Sequence, residues 1–135
     1  MPKRFFVSAR KDRSAEADAL STELTTRGWQ RTYEWNALDG ETLEELAKFA
    51  IAEMDGVRNA DVLIVLLPGG FGTHVEIGAA LALGKPVILH SPDQKTLETP
   101  YRCPFHYHPK VKILISATPD VDAILACLAD AGSGF

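Results

Sequence analysis

Several features that mark particular classes of protein are scarce in this chain. It has two cysteines among 135 residues, Cys103 and Cys127, which is too few for a disulfide framework. Basic residues form no run and the net charge is −4, so we expect neither a nucleic-acid polymer nor a membrane as a partner. The apolar stretch near the N-terminus is too short for a signal peptide or a membrane span. These absences predict a cytoplasmic protein.

Motifs of other functional classes are missing as well. No Gly-x-Gly-x-x-Gly follows the first expected strand, which argues against a flavin or dinucleotide site. Cys103, His106 and His108, with His90 before them, lack a strong zinc-ligand spacing, so we predict no metal site and no cofactor. No repeat or linker interrupts the chain, so residues 1–135 are expected to form one domain with one site.

The chain does contain a regular alternation of strand patterns and helix patterns. Strands are expected at Arg4–Ser8, Trp29–Trp35, Val62–Leu67, Pro86–His90 and Val111–Ser116. Helices are expected at Ser14–Arg27, from Asp39 to about Met54, at Thr73–Leu83 and at Pro119–Ala131. This alternation predicts an α/β fold with a five-stranded parallel sheet of order 2-1-3-4-5 between two helical layers, a Rossmann-like or flavodoxin-like sandwich.

A glycine-rich loop follows the third expected strand. Gly69, Gly70 and Gly72 permit positive φ and let backbone amides approach a sugar or an anion, and Thr73 is suited to cap the next helix. Glu76 would then lie in the first helical turn, where the helix dipole favours the ionised form that a carboxylate nucleophile needs. This pattern predicts a nucleotide site that contains a candidate nucleophile.

The expected strand order places the Ser8-Ala9-Arg10 loop beside the glycine loop. Ser8 and Arg10 are therefore candidate substrate-binding residues, although Arg10 fits both a phosphate contact and an ordinary surface charge. Lys11 and Arg13 are expected at the surface. Trp35, at the end of the second expected strand, is suited either to stacking on a base or to packing.

The segment Gly72–Val87, which reads Gly-Thr-His-Val-Glu-Ile-Gly-Ala-Ala-Leu-Ala-Leu-Gly-Lys-Pro-Val, resembles the nucleoside 2-deoxyribosyltransferase family, whose relatives include 5′-monophosphate N-glycosidases. The likeness continues more weakly from Phe5 to about His90. It implies that Glu76 is the nucleophile and that a second acidic residue acts on the base, a position that falls on Glu53 with Asp55 as a competitor. The loop is also similar to that of Lonely Guy-type phosphoribohydrolases.

Two positions depart from the transferases of that family. Gly70 lies in the region where they carry an Asp, and Phe5-Phe6 lies where they carry a Tyr. We therefore expect cleavage of the N-glycosidic bond of a nucleoside or nucleoside 5′-monophosphate, by hydrolysis or by transfer. The alternative is a nucleotide-binding sensor or interaction domain without turnover.

The resemblance also implies a homo-oligomer, a dimer or larger, because members of the family complete their sites with residues from a neighbouring subunit. The chain offers small residues for close helix contact at Ala79, Ala80 and Ala82. The irregular segment Ser91–Pro109, a candidate lid or interface, carries the aromatic residues Tyr101, Phe105 and Tyr107.

Overall fold

Strands and helices alternate along the chain in a computed structural model that describes residues 3–34, 42–98, 100 and 102–131. The strands are β1 (Lys3–Ser8), β2 (Trp29–Arg31), β3 (Val62–Leu66), β4 (Val87–Ser91) and β5 (Val111–Ile115). The α-helices are α1 (Ser14–Thr26), α2 (Leu43–Asn59), α3 (Phe71–Ala82) and α4 (Val121–Ala131), with 3₁₀ turns at Lys11–Arg13, Lys95–Leu97 and Pro104–Tyr107.

The five strands form one sheet in the order β2-β1-β3-β4-β5, and every pair is parallel. The predicted fold class and strand order are therefore confirmed. β1 and β3 are direct neighbours, with Ser8 opposite Val65 at their carboxyl ends. The strand order reverses between them, and open parallel sheets bind ligands outside the carboxyl ends of strands at such a point.

Two hydrophobic clusters lie on the two faces of the sheet. One includes Phe6, Val65 and Leu89 with residues of α2 and α3. The other includes Val7 and Ile64 with residues of α1 and α4. β3 and β4 are buried along their whole length, as expected for central parallel strands covered on both sides. Within the described ranges, no helix combines the length and the apolar character needed to cross a bilayer.

Several element ends differ from the sequence-based expectation. β2 stops at Arg31 rather than continuing to Trp35, and both Trp35 and Tyr101 lie outside the described residues. The segment expected to be irregular, Ser91–Pro109, begins as the end of β4 and contains two 3₁₀ turns. The expected helix stops are confirmed: Gly28 and Gly84 follow α1 and α3 with φ values of 94° and 74°.

A close contact of α2 with the sheet depends on Gly56. This glycine is buried, and a Cβ atom added to it would lie 2.8 Å from the Phe6 ring and 2.8 Å from Cβ of Tyr33. A larger residue would push α2 outward. α2 also carries Glu53, so this contact helps to fix the distance of that residue from the sheet.

Candidate active site

Glu76 is buried at the end of the sheet, with 6% of its surface exposed. Its helix begins at Phe71, with Gly70 as N-cap, so Glu76 lies in the second turn. The expectation that Glu76 lies in the first turn is wrong, because the helix starts two residues earlier than the sequence pattern predicts. Oε1 of Glu76 accepts a hydrogen bond of 2.5 Å from the Ser8 hydroxyl at the end of β1.

Burial raises the pKa of the Glu76 carboxyl to about 7. The hydrogen bond from Ser8 acts in the opposite direction and lowers the pKa, whereas the negative charge of Glu53 raises it further. The expectation that the helix dipole keeps this carboxylate ionised is therefore wrong, because loss of water outweighs the dipole in the second turn. At neutral pH the group is poised between its protonated and ionised forms.

Glu53, rather than Asp55, lies within electrostatic reach of Glu76. Burial raises the pKa of the Glu53 carboxyl, and the positive charge of Lys11 lowers it. Asp55 is exposed and forms an ion pair with Arg58, one turn along the same helix, at 2.8 Å. The structure thus brings one of the two candidate second acids toward Glu76 and leaves the other at the surface.

Tyr33 lies within electrostatic reach of both Glu53 and Glu76, a role that its position in the expected second strand did not by itself indicate. Its ring is parallel to that of Phe6 within 7°, with centroids 6.1 Å apart. Burial raises the pKa of the Tyr33 hydroxyl, and the charges of Glu53 and Glu76 raise it further. The available signal was its place just after the second strand, which the predicted order puts beside β1.

The glycine loop is built differently from the expectation. Among the described residues positive φ occurs only at glycines that follow helices, so Gly69, Gly70 and Gly72 do not use it. Gly69 instead permits close packing: a Cβ atom there would lie 2.5 Å from Cγ2 of Thr73. Thr73 is 3% exposed inside α3 and makes no capping hydrogen bond, so its predicted capping role is wrong.

Two arginines follow β1 and make different contacts. Arg10 is 43% exposed along its side chain and pairs with Asp12 through Nε at 3.2 Å and Nη2 at 3.0 Å. Its Cγ lies beside Gly70. Arg13 is not the surface residue that was expected: its side chain is 11% exposed, it donates to the Leu67 carbonyl, and its Nη2 lies 2.6 Å from Glu16 Oε2.

The histidines do not group as their order along the chain suggested. His90 lies in β4 with Nε2 2.9 Å from the Ser116 carbonyl, and His108 Nδ1 accepts from the Lys110 amide. His106 and Cys103 instead meet His74 of α3, and one ligand atom from each of these three lies within 4.8 Å of the others. This group has the side-chain chemistry of a metal site.

Comparisons with known proteins identify the family and similar folds. The family model for nucleoside 2-deoxyribosyltransferase matches residues 3–131. The structure of the CMP N-glycosidase BcmB from Clostridium botulinum is 23% identical with a TM-score of 0.66, and the match covers 94% of this chain and 99% of that one. The 2-desoxiribosyltransferase from Leishmania mexicana is 21% identical with a TM-score of 0.50, over 68% of this chain and 66% of that one. No curated protein sequence matches significantly.

Proposed function

The chain belongs to the nucleoside 2-deoxyribosyltransferase family, and we propose that it cleaves the N-glycosidic bond of a nucleoside or nucleoside 5′-monophosphate with Glu76 as nucleophile. Membership of this family indicates an enzyme and supports deoxyribosyltransferase or N-glycosidase activity. The observation that carries the residue assignment is the buried Glu76 carboxyl, held by Ser8 where β1 and β3 end. A carboxyl in that position faces the place where this fold binds ligands.

In the proposed reaction, ionised Glu76 attacks C1′ of the sugar. The bond from C1′ to the base nitrogen breaks, and its electron pair leaves with the base. Positive charge develops on the sugar in the transition state, and a carboxylate in a site of low polarity stabilises that charge strongly. A covalent glycosyl ester results, and water or a second base then attacks C1′ and releases Glu76. Hydrolase and transferase differ only in this second step.

Glu53 is assigned to the departing base in preference to Asp55, because Asp55 is exposed and pairs with Arg58 at the surface. The raised pKa of Glu53 favours its protonated form, which is the form that donates a proton to a leaving base. Removing its charge also lowers the pKa of Glu76. Glu53→Gln should therefore slow most strongly the release of bases that are poor leaving groups. It should also shift to lower pH the point at which the rate falls on the acid side of the pH profile.

The assignment of Glu76 is tested with Glu76→Gln. Incubation with a panel of nucleosides and monophosphates, followed by chromatography for free base, should show base release by the wild type and none by the variant. Glu23→Gln, an exposed change on α1, is the matched control and should retain the wild-type rate. Wild-type release by Glu76→Gln would overturn the assignment, and a nucleotide that binds without turnover would favour a sensor.

A stability measurement separates loss of chemistry from loss of fold. Because the folded-state pKa of Glu76 is raised to about 7, ionisation opposes folding progressively as pH rises from about 4.5 to about 7. Glu76→Gln cannot ionise, so its unfolding midpoint should be at least that of the wild type at pH 8. A slow 2-fluoro-substituted substrate should also leave a pentosyl adduct on Glu76 in the wild type, detected by mass spectrometry.

The substrate's 5′ group is assigned to Arg10, to Gly69 and Gly70 of the loop, and to Gly72 and Thr73 in the first turn of α3. The Arg10 stem lies next to Gly70, but its guanidinium pairs with Asp12, so a phosphate would have to replace that partner. Arg10→Ala should weaken binding of monophosphates by about 1.5–3 kcal/mol and hardly change that of nucleosides. Arg27→Ala, at the other end of α1, is the control. Equal losses for both substrate types would remove Arg10 from the site.

We also propose that the protein works as a homo-oligomer, but through exposed apolar residues rather than the predicted alanines. Ala80 is fully buried and Ala79 packs against the same core, so Ala82 alone of the three is exposed. The helical layer of α2 and α3 instead exposes large apolar side chains, with exposed fractions of 85% at Leu43, 64% at Ile51, 96% at Phe71 and 61% at Val75. Several large exposed apolar side chains on one helical layer favour a protein interface there.

Light scattering tests the oligomer. The wild type should exceed the chain mass of 14.7 kDa, and Val75→Glu should return it to that mass. Ile115→Glu alters a comparably exposed apolar residue on β5 and should leave the oligomer intact. A wild type that is active while only monomeric would contradict the claim.

A further inference from the structure

A cluster of three side chains outside the catalytic carboxyls has the composition of a transition-metal site. His74 lies in the first turns of α3, Cys103 precedes the 3₁₀ turn Pro104–Tyr107, and His106 lies within that turn. One ligand atom from each residue lies within 4.8 Å of the others. The cluster therefore joins two segments of the chain through groups that bind zinc.

The tautomer of His74 leaves the lone pair of its Nε2 atom available to a metal ion. Its Nδ1 lies 2.9 Å from the Gly70 carbonyl, and because a carbonyl only accepts, Nδ1 carries the proton. Nε2 therefore presents a lone pair toward His106, whose own Nε2 is 3.0 Å away. Metal-binding histidines characteristically donate their second ring nitrogen to a carbonyl or carboxylate in this way.

His106 is the least exposed member of the cluster, at 1% of its surface. Its Nδ1 has no hydrogen-bond partner among the described residues. Its Nε2 contacts His74, and native proteins bury an imidazole with an unpaired ring nitrogen mainly where it has a function. When Nε2 binds an ion, Nδ1 carries the proton, so the case for the site rests on the grouping of the three side chains rather than on Nδ1.

We propose that His74, Cys103 and His106 bind one Zn²⁺ ion, with a fourth coordination position open to solvent. Zinc binds histidine nitrogen at about 2.0–2.1 Å and thiolate sulfur at about 2.3 Å, so nitrogens of a tetrahedral site lie about 3.3 Å apart. The two Nε2 atoms, at 3.0 Å, need to separate only slightly. Imidazole with thiolate is the ligand set that suits zinc rather than magnesium or calcium.

The ion would fasten the turn Pro104–Tyr107 to the start of α3. Through the hydrogen bond of His74 to Gly70 it would also restrain the glycine loop ahead of Glu76. No step of the glycosidic reaction is assigned to the ion. Its expected effects are an ordered loop and a more stable fold.

Metal titration of tag-free protein, stripped with a chelator, tests the site without any substrate. Zn²⁺ should bind at one ion per chain in competition with a chromophoric chelator, and it should raise the unfolding temperature. Co²⁺ should bind at the same place and show a thiolate-to-cobalt charge-transfer band. Binding of fewer than about half an ion per chain, or a cobalt spectrum without the thiolate band, would overturn the proposal.

Matched variants identify the ligands. Cys103→Ser should remove the thiolate band, and Cys127→Ser in α4 should retain it. His74→Gln and His106→Gln should each weaken zinc binding at least about tenfold, whereas His108→Gln should not. If a variant fails to fold, alkylation of the wild-type protein tests the ligand instead. Zn²⁺ should protect the Cys103 thiol, but not the Cys127 thiol, from alkylation measured by peptide mass spectrometry. Equal labelling of Cys103 with and without zinc would exclude it as a ligand.

Discussion

Ser8 and Glu76 are 68 residues apart in the chain, and their Oγ and Oε1 atoms are 2.5 Å apart in the fold. One comes from the last residue of β1 and the other from the helix after β3, so the contact exists only because those strands are neighbours. Without the Ser8 hydroxyl, the carboxyl of Glu76 would have burial and the charge of Glu53 acting on it unopposed. The state of the proposed nucleophile therefore depends on a residue of another strand.

The pH profile of base release should show an acid limb near 7. For a base that leaves without a proton from Glu53, attack requires only ionised Glu76, whose pKa is raised to about 7. With such a substrate, kcat/KM should rise about tenfold per pH unit below that value and level off above it. The measurement should be made with a chelator present, so that no ion at His74 alters the field. A limb near pH 4.5 would contradict the raised pKa.

Ser8→Ala should move the acid limb to higher pH. Its hydroxyl is the contact that lowers the pKa of Glu76, so its loss favours the protonated carboxyl and slows base release more at pH 6 than at pH 8.5. Ser21→Ala removes another buried hydroxyl, bonded to the Ala17 carbonyl on α1, and should leave the limb in place. Identical pH profiles for Ser8→Ala and the wild type would show that the bond does not tune Glu76.

Gly56→Ala should destabilise the fold by about 1–3 kcal/mol, because the new methyl group would overlap the Phe6 ring and Cβ of Tyr33. Gly78→Ala in α3 is the matched change: nothing lies within 4 Å of its added Cβ, and the helix should gain up to about 1 kcal/mol. Denaturant unfolding measures both. Equal stabilities for the two variants would mean that α2 shifts to accommodate the added methyl group without loss of stability.

Arg13→Lys should lower both stability and base release. Lysine keeps the charge but cannot maintain the paired contact with Glu16 together with the bond to the Leu67 carbonyl, a loss of about 1–3 kcal/mol. Arg27→Lys, an exposed arginine paired with Asp122, should change the free energy of unfolding by less than about 0.5 kcal/mol. Unfolding curves and base-release rates for the two variants make the comparison, and an Arg13→Lys variant with wild-type values would remove Arg13 from this role.

The architecture was predictable because the signals are local. Continuous apolar runs at Val62–Leu66 in β3 and at Val87–Leu89 in β4, separated by helical spacing, indicate buried parallel strands. Glycines that follow a helical pattern, as Gly28 and Gly84 do, end helices because they adopt positive φ without strain. Element ends were less predictable. α3 begins at Phe71 rather than at the predicted Thr73, because Gly70 supplies the N-cap.

The proximity of Ser8 and Glu76 was predictable, but the electrostatics of the candidate site were not. Glu76 was singled out by the glycine loop before it and by the family resemblance, and the position of its loop beside that of Ser8 follows from strand order. Its burial, and hence its raised pKa, depends on packing between distant segments. The meeting of His74 with His106, 32 residues away, likewise leaves no spacing pattern in the chain. The cellular compartment stays a prediction.

Arg13 gives the glycine loop a mechanical support that glycine cannot provide. Its guanidinium links the turn after β1 to the Leu67 carbonyl at the end of β3. The two strand ends beside the candidate site are therefore joined by a side chain before any ligand binds. Arg13 consequently supplies stiffness to this edge of the sheet, while the proposed substrate contacts are left to other residues.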